Sequence, residues 1–408
     1  MPVTPTTGPR KLHVGIEATT WPNPRGFGRF TRELVAALAA RDSDFRYTLV
    51  FDRMGDFDLP AGVDVVCANT SKGLNDSAVG QDSRSLPYLW KMSRLVRRSN
   101  FDLFFFPAVY SFFPLLQRVP CVVCYHDATA ERIPHLLFPT RWNRHMWRLK
   151  TRLAKWQTTR AMTVSRSSAR DLENILRIPA SKIDLVTEGA DRAFRVVEDP
   201  EALAGARSRH GIPPDAEVLL TLGGMNAHKN VLAVLKALPG LVSKRPGTHL
   251  VVVGDTSGKG FWDNVPILQK FVAAHPPLEK HVHFTGHIGD EEVVNLLGSA
   301  TALVFPSLWE GFGLPALEAM SCGVPVLASN RGSLPEVVGN AGLFFDPADP
   351  GETAATILRL LEDPDLRRQL AAAALQRARG FSWERGAELA EASFRRCLGI
   401  PEAENPSE

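Results

Sequence analysis

The segment EGFGLPALEAMSCGVPVLAS, from Glu310 to Ser329, decides the fold of this chain. The apolar run TALVFPSLW before it predicts a buried strand. The next residues, GFG, predict a loop whose glycines let backbone N–H groups approach a ligand closely. Pro315 fits the first position of a helix, and Glu318 would then lie in the first helical turn, near the positive end of the helix dipole. A strand, a glycine turn and a helix N-terminus in this order favour a site for a phosphate or another polar ligand.

Apolar runs alternate with amphipathic stretches along the whole chain. Strands are predicted for the runs at 12–18, 47–52, 101–107, 121–127 and 161–165, then from about 216 and at 249–255, 281–287, 301–307 and 324–329. Short buried strands separated by helices, such as the one predicted at 28–42, indicate parallel sheets covered on both faces. The restart near 216 predicts two doubly wound α/β domains, with a boundary at 190–205. Such domains bind ligands at the carboxyl ends of their strands, and two of them would face each other across a cleft.

Composition places the chain among ordinary globular proteins. Its 408 residues predict two or three domains, and 44% hydrophobic with 22% charged residues is typical of the soluble class. The net charge of +3 is too small to indicate a nucleic-acid partner, and no nucleic-acid-binding signature stands out. We therefore expect a soluble protein that does not bind nucleic acid.

The sequence also indicates the cellular compartment in which the protein is expected. The first residues, MPVTPTTGPRKL, lack the apolar core of a signal peptide, and no run of about 18 uncharged apolar residues predicts a membrane span. The five cysteines are an odd number, which fits a reducing cytoplasm. Cys121 and Cys124 lie three apart on a predicted strand and would point to opposite faces, so we expect core residues rather than a metal or redox pair.

Two glutamates separated by seven residues, Glu310 and Glu318 with GFGLPAL between them, closely resemble the hallmark of the family-four retaining glycosyltransferases. The resemblance implies the GT-B fold, an α/β architecture of two doubly wound Rossmann-like domains facing across a cleft. Residues 1–195 would form the acceptor-binding domain and 196–380 the nucleotide-sugar-binding domain. A last helix at 381–398 would pack back on the first domain, and we expect the tail 399–408 to be disordered.

The resemblance assigns the donor side. It implies that Glu310 lies beside the donor sugar and that Glu318 binds the ribose hydroxyls. Lys229, in the loop LGGMNAHKNV, matches the family lysine that contacts the donor diphosphate, where a fixed ammonium stabilises developing negative charge. His228 replaces the usual arginine, so either a protonated His228 or another basic residue would supply the second cation. The other donor-binding candidates in these two loops are Gly224, Gly311, Phe312, Gly313 and Leu314. By family analogy Gly286, His287 and Ile288, in the segment FTGHIGDEEVVNLL, would lie near the nucleobase, and an ordinary strand end is the alternative.

The acceptor side follows from loops of the first domain. The loop PRGFGRF joins the first strand to the first helix and carries the candidates Gly26, Gly28 and Arg29, although it is too short for a dinucleotide fingerprint and also fits a simple turn. His126 and Asp127 end a predicted strand, and the resemblance implies that His126 lies near the sugar hydroxyls. The alternative for His126 is a satisfied structural histidine. Ser165, at another strand end, is a further candidate.

A basic segment within 141–170 suggests a partner of another kind. No acidic residue occurs between Ile133 and Arg170, and Trp142, Trp147 and Trp156 are interleaved with arginines and lysines. This pattern favours an anionic membrane surface. A solvated face whose tryptophans pack inward is an equal alternative.

The predicted function is transfer of a hexose from a nucleotide sugar to a hydroxyl of a glycan or lipid-linked acceptor, with retention of configuration, in bacterial polysaccharide or glycolipid synthesis. Glu310, Lys229 and His126 are the catalytic candidates, and no metal or other cofactor is expected. The segments HDAT and SNRGSLPEV resemble those of bacterial mannosyltransferases and favour GDP-mannose as the donor. UDP-glucose or another nucleotide hexose is the alternative. A non-catalytic nucleotide-sugar-binding protein is the rival from another class.

Overall fold

Two separate parallel sheets organise the computed structural model, which describes residues 10–24, 26–70, 85–256 and 264–401. The first sheet has the strand order β3-β2-β1-β4-β5-β6-β7. Its strands are β1 (Leu12–Glu17), β2 (Phe45–Phe51), β3 (Val63–Cys67), β4 (Leu103–Phe106), β5 (Cys121–Cys124), β6 (Arg160–Thr163) and β7 (Ile183–Leu185). We call this sheet and the helices packed on it the first lobe.

The second sheet has the order β10-β9-β8-β11-β12-β13 and forms the second lobe. Its strands are β8 (Glu217–Leu222), β9 (Thr248–Val253), β10 (Val282–Gly286), β11 (Ala302–Phe305), β12 (Val326–Ser329) and β13 (Gly342–Phe345). In both sheets the order reverses beside the first strand, which places switch points at β1/β4 and at β8/β11. The two orders confirm the predicted pair of doubly wound domains.

Helices cover both faces of each sheet. The first lobe contains α1 (Gly26–Ala39), α2 (Leu86–Arg98), α3 (Thr129–Arg132), α4 (Arg141–Gln157) and α5 (Arg166–Asn174). The second lobe contains α6 (Pro200–Arg209), α7 (Val231–Lys244), α8 (Val265–Ala273), α9 (Asp290–Gly298), α10 (Leu314–Ser321), α11 (Leu334–Val338), α12 (Pro350–Glu362) and α13 (Pro364–Ala378), and the last helix is α14 (Trp383–Leu398). No helix among the described residues is long and apolar enough to cross a bilayer.

The run of three phenylalanines on β4 shows how the first sheet is buried on both faces. Successive strand residues point to opposite sides. Phe104 and Phe106 join the core under α2 and α4, whereas Phe105 joins the core on the other face, 5.3 Å from the ring of Phe394 on α14. Each buried ring contributes about 1.5–3 kcal/mol of stabilisation. A strand with two buried faces reads as an unbroken apolar run, which is why β4 was predictable.

The last helix lies on the first sheet although the chain reaches it from the second lobe. Tyr47 on β2 donates to Glu391 Oε1 at 2.7 Å, and Ser393 donates to Asp184 Oδ2 at 2.6 Å. The chain therefore passes between the lobes twice. The boundary predicted between 195 and 196 lies in the connection from β7 to α6 and stays a prediction, and of the predicted disordered tail the residues 402–408 lie outside the described part.

Helix α10 differs from the sequence prediction at its start. Gly313 is its N-cap, with φ at +100°, so the helix begins at Leu314 and Pro315 is its second residue. The first turn of α10 contains no acidic residue, and the prediction that Glu318 lies in it is wrong. Because the helix dipole acts within the first turn, Glu318 needs another source of stabilisation. Strands β3, β7 and β13 were also not predicted.

Candidate active site

Loops from the two lobes meet where the carboxyl ends of their strands face each other. Gly311, just after Glu310, packs on the residues that follow β5: a Cβ at this position would lie 2.5 Å from the His126 carbonyl oxygen and 3.1 Å from Asp127. Ser168 of α5 donates to the Gly311 carbonyl at 3.1 Å. The glutamate loop of the second lobe therefore touches the strand end that the sequence marked in the first lobe.

Lys229 and Glu310 form an ion pair in the second lobe. Lys229 follows β8, Glu310 follows β11, and Nζ lies 2.7 Å from Oε1. The side chains are 20% and 12% exposed. Burial alone would raise the pKa of Glu310, but the Lys229 ammonium outweighs it and holds this pKa below the ordinary value. The pair therefore places an ionised carboxylate and an ammonium side by side at the switch point of the second sheet.

His228 lies next to this pair as a neutral imidazole. Burial, reinforced by the Lys229 ammonium, lowers the pKa of His228 to about 4. Its Nδ1 is buried and has no hydrogen-bond partner among the described residues. With these neighbours the geometry favours an uncharged histidine, so of the two alternatives the second cation is better supplied by another residue.

Glu318 is paired across the lobe boundary. Arg29 Nη1 lies 2.5 Å from Glu318 Oε1, and Nη2 donates to both oxygens of Asp290 at 2.7 Å. The side chains of Arg29 and Glu318 are 14% and 7% exposed. Burial raises the pKa of Glu318 to about 7, although the Arg29 guanidinium opposes this effect. Arg29, which the sequence grouped with the acceptor side, thus reaches the second glutamate of the donor motif.

His126 lies at the boundary with both ring nitrogens engaged. Nε2 is 2.9 Å from the Pro107 carbonyl, and Nδ1 is 3.4 Å from Glu188 Oε1. Burial alone would lower the pKa of His126, but Cys124 and Glu188 outweigh it and raise this pKa well above the ordinary value. The ring also packs edge-on against Phe30. A sugar hydroxyl would have to displace one of these partners, so a catalytic role for His126 stays a prediction.

Asp127 and Ser165 both serve the local backbone. Asp127 Oδ1 accepts from the Thr129 N–H at 2.8 Å, and burial, with Glu310 nearby, raises the pKa of this carboxyl. Ser165 is the N-cap of α5, where its hydroxyl accepts from the Ser168 N–H at 3.0 Å. Both residues lie at strand ends of the first lobe, and neither contact assigns them to an acceptor.

The remaining candidates divide between the two lobes. Gly28 needs its glycine, because a Cβ there would lie 1.9 Å from the Asn23 carbonyl oxygen. Gly286 ends β10 with φ at +71°, and the loop that follows leads to Asp290 and so to Arg29. The other candidates lie in the same loops, at the start of α1, after β8, after β10 and between β11 and α10: Gly26, Gly224, His287, Ile288, Phe312 and Leu314.

Helix α11 and its N-cap, Ser333, supply two site residues that the sequence did not mark. Ser333 donates to the carbonyls of Glu310 at 3.1 Å and Phe312 at 2.7 Å, which fixes the glutamate loop. The Glu336 carboxylate accepts from the N–H groups of Arg166 at 3.0 Å and Ser167 at 3.1 Å, at the start of α5 in the first lobe. The segment SNRGSLPEV carried part of the likeness to mannosyltransferases, but nothing in the sequence indicated its contact across the boundary.

The space beside Lys229 is small in this arrangement. A cavity of about 10 Å³, room for about one water, is lined by Thr221, Leu222, Gly223, Gly224, Met225, Lys229, Val231, Phe305 and Pro306. Small-molecule sites usually occupy about 300–1,000 Å³. A nucleotide therefore does not fit in this space unless the loops of the second lobe that line it move. No group of three or more metal-ligating side chains occurs in the described parts of the chain.

Comparison with known proteins connects these features. The sequence model "Glycosyltransferase Family 4" matches residues 24–194, and "Glycosyl transferases group 1" matches 205–377. O-antigen chain mannosyltransferase B from Escherichia coli is 34% identical over 223 residues, which are 55% of this chain and 57% of that protein. The chain thus spans little more than half the length of this relative.

Solved structures agree on the fold. Sucrose-phosphate synthase from Thermosynechococcus elongatus matches 95% of this chain and 99% of its own, with a TM-score of 0.73 at 19% identity. HepE from Anabaena, solved in complex with UDP and glucose, matches 94% of this chain and 98% of its own, with a TM-score of 0.71 at 19% identity. With both halves matched by family models and the overall fold shared with these structures, the chain belongs to the group 1 and family 4 glycosyltransferases of the GT-B fold.

Proposed function

We propose that this protein transfers a hexose from a nucleotide sugar to a hydroxyl of a glycan or lipid-linked acceptor, with retention of the anomeric configuration. The observation that carries the proposal is the ion pair of Lys229 and Glu310, 2.7 Å apart at the switch point of the second sheet. The loop beyond Glu310 leads directly into α10, and glycines there allow close approach of a ligand to the backbone.

The proposed chemistry follows from where charge develops. The bond from the anomeric carbon to the diphosphate oxygen breaks, which leaves negative charge on the nucleoside diphosphate and positive charge on the sugar ring. The Lys229 ammonium stabilises the diphosphate, and the Glu310 carboxylate holds the sugar hydroxyls and balances the ring. The acceptor oxygen bonds to the same face of the sugar, and a donor phosphate oxygen takes its proton. No metal is assigned to this scheme.

The two side chains are poised for this exchange of partners. Lys229 is held by one carboxylate now, and a bound diphosphate would give the same ammonium a second anion. Because the low pKa of Glu310 keeps it ionised at neutral pH, it can accept hydrogen bonds from sugar hydroxyls without first losing a proton. The neutral His228 adds a nitrogen that is unpaired among the described residues, beside the same position.

Mannose from GDP-mannose is the proposed donor. The relative from Escherichia coli is named an O-antigen chain mannosyltransferase, and it matches 55% of this chain at 34% identity. UDP-glucose or another nucleotide hexose is the alternative, supported by the UDP and glucose of the HepE complex. The first relative also favours bacterial polysaccharide or glycolipid synthesis as the context of the reaction.

A panel of nucleotide sugars tests the proposal directly. A donor that binds only the folded state raises the midpoint of thermal unfolding, and we expect GDP-mannose to raise it most. The stabilising donor is then incubated with candidate acceptors, and the configuration of the product is read from the one-bond coupling between the anomeric carbon and its proton. Retention supports the proposal, whereas inversion contradicts the mechanism. Stabilisation by a donor without transfer to any acceptor would favour the rival, a non-catalytic nucleotide-sugar-binding protein.

The basic segment is proposed to attach the protein to an anionic bilayer. On α4 the tryptophans divide: Trp147 turns inward and donates to Glu131 at 2.7 Å, whereas Trp142 and Trp156 are 67% and 80% exposed. Leu149 is exposed on the same helix, among arginines and lysines. Exposed tryptophans beside cations suit the interface of a membrane with anionic headgroups.

Helix α2 lies on the same side of the first sheet and also exposes apolar and basic side chains. It packs on the same core under the first sheet as α4 does. Leu86 and Trp90 are exposed near its start, and Arg94, Arg97 and Arg98 are exposed toward its end. Each cation near an anionic surface contributes about 1 kcal/mol, screened by salt. The proposed location is therefore the inner face of the membrane, where a lipid-linked acceptor would be presented to the cleft.

Flotation with liposomes tests the attachment. We expect the protein to float with vesicles that contain anionic lipid at low salt, and to remain behind with neutral vesicles. The double variant Trp142→Ala and Trp156→Ala should lose most of this binding, while Trp147→Phe, which changes the inward-facing tryptophan, serves as the matched control. Equal flotation with neutral and anionic vesicles, or no flotation at low salt, would remove this part of the proposal.

A further inference from the structure

Arg29 makes the charge of Glu318, in the donor site of the second lobe, depend on a residue of the first lobe. Glu318 sits on α10 of the second lobe, nearly inaccessible to water, and its close cation comes from α1 of the opposite lobe. A buried carboxylate without a cation takes up a proton instead of staying charged. Whether Glu318 is a carboxylate or a neutral acid at pH 7 therefore depends on a residue that belongs to the other lobe.

The chemistry of a ribose makes this dependence matter. A ribose diol donates hydrogen bonds, and an ionised carboxyl group accepts them with both oxygens, whereas a protonated one has lost part of that capacity. Arg29 engages Oε1 of Glu318, and one further carboxylate oxygen is enough for a hydroxyl. The guanidinium is itself fixed, by two hydrogen bonds to Asp290 and by the Phe194 ring 5.3 Å away.

We propose that Arg29 is a positioning residue of the donor site, which reaches across the lobe boundary, favours the ionised form of Glu318 and orients it for the ribose of a nucleotide. This inference rests on the proposed function, which places the nucleotide at Glu318. Its consequence is a coupling: Arg29 acts on Glu318 when the lobes are in contact. Nucleotide binding and closure of the two lobes then favour each other.

Several other charges face Glu318 and its partner, and they bear on any dependence on pH. Besides Asp290 on α9, the groups that interact with the pair come from α1, from the connection between the lobes and from the residue after α10: Arg32, Glu33, Asp191 and Cys322. Asp191 and Asp290 both raise the pKa of Glu318 further, so Arg29 works against two neighbouring carboxylates as well as against burial.

Calorimetric titration with GDP and UDP from pH 6 to 9 tests the proposal. In Arg29→Gln the lost cation raises the pKa of Glu318, so we expect the nucleotide that the wild type binds to bind about tenfold more weakly at pH 7. The deficit should shrink to about threefold or less at pH 9, where Glu318 ionises again. Arg29→Lys keeps the charge and should stay closer to the wild type across the range.

A double-mutant cycle with Glu318→Gln separates this effect from a structural one. If Arg29 acts through Glu318, then Arg29→Gln should add little to the loss already caused by Glu318→Gln. Circular-dichroism melts of each variant establish that it folds. A deficit that is the same at pH 6 and pH 9, a full additive loss in the cycle, or tighter binding by Arg29→Gln would overturn the inference. Failure of the wild type to bind either nucleotide would instead count against the proposed function.

Discussion

Glu310 and Glu318 come from one short segment, yet the protein holds them in opposite ways. Glu310 has its cation in the same lobe, Lys229 at 2.7 Å, and its pKa lies below the ordinary value. Glu318 has its cation in the other lobe, Arg29 at 2.5 Å, and burial raises its pKa to about 7. Two residues that look equivalent in the sequence therefore differ in what keeps them charged.

The difference suggests a division of labour within the motif. A carboxylate with a partner in its own lobe stays ionised whatever the other lobe does, which suits a group that must hold a sugar and balance developing charge. The ionisation of a carboxylate whose partner lies in the opposite lobe depends on the relative placement of the two lobes. Two further contacts also join the lobes: Glu336 binds the start of α5, and Ser168 binds the Gly311 carbonyl.

The largest effect should follow from breaking the pair within the second lobe. Lys229→Met or Glu310→Gln should lower kcat for sugar transfer by about 10²–10³, the usual cost of removing a group aimed at developing charge. Initial rates with saturating donor provide the measurement. Lys236→Met changes an exposed lysine on α7 and is the matched control. Near-normal turnover in both Lys229→Met and Glu310→Gln would contradict the roles given to this pair.

The pH dependence of stability should then separate the two glutamates. The folded-state pKa of Glu318 is raised, so its contribution to stability is complete below about pH 4.5 and is lost as the pH rises to about 7. Relative to Glu318→Gln, the wild type should lose on the order of 3 kcal/mol of unfolding free energy over this interval. Thermal unfolding at pH 5, 6, 7 and 8 measures the difference as several degrees.

Glu310→Gln is the internal control, because its sign is reversed. The folded-state pKa of Glu310 is lowered, so its contribution is present above the unfolded value near 4.5 and is lost as the pH falls. The wild type should therefore become more stable relative to Glu310→Gln as the pH rises from acid values. The same sign for both variants would mean that the two sites do not differ as described.

A smaller effect is expected where Glu336 joins the lobes. Its carboxylate accepts from two N–H groups at the start of α5, and Glu336→Gln keeps the shape while removing the charge. The free energy of unfolding should fall by about 1 kcal/mol, which is typical of a charged group at a helix N-terminus. We expect an unfolding midpoint lower by a few degrees and a modestly higher KM for the donor. Glu352→Gln, which changes the first turn of α12 away from the boundary, should leave KM unchanged.

The smallest effect concerns the second partner of Arg29. Asp290 raises the pKa of Glu318, so Asp290→Asn should lower that pKa. The pH above which the difference in unfolding midpoint between Glu318→Gln and the parent protein stops changing should therefore move to lower values when Asp290→Asn is the parent. An unchanged profile would show that Asp290 lies too far from Glu318, or is too well solvated, to act on it.

The sequence predicted the fold well because the physics of a doubly wound sheet is local. Strands buried on both faces leave long apolar runs, as in LFFF of β4, and these runs needed no knowledge of their neighbours. Strands β3 and β7 escaped prediction because they are short and partly exposed, with Asp64 and Asp184 breaking the apolar pattern. The start of α10 was misplaced because Gly313, not a side-chain cap, sets it.

The site was predictable in its parts but not in its pairings. The resemblance marked Glu310, Glu318 and Lys229, and the strand pattern placed Lys229 after β8 and Glu310 after β11. Nothing local indicates that Arg29, which precedes Glu318 by 289 positions, is its partner, or that Glu336 reaches α5. These contacts depend on how the two lobes pack against each other, and the spacing of residues along the chain does not predict that packing.

A crystal structure of the wild type with GDP-mannose, or with whichever nucleotide sugar stabilises it most, tests the central claim most directly. We expect the diphosphate within about 3 Å of the Lys229 ammonium, the hexose against Glu310 and a ribose hydroxyl on Glu318 with Arg29 still in contact. A diphosphate bound away from Lys229 and from residues 311–318 would contradict the account.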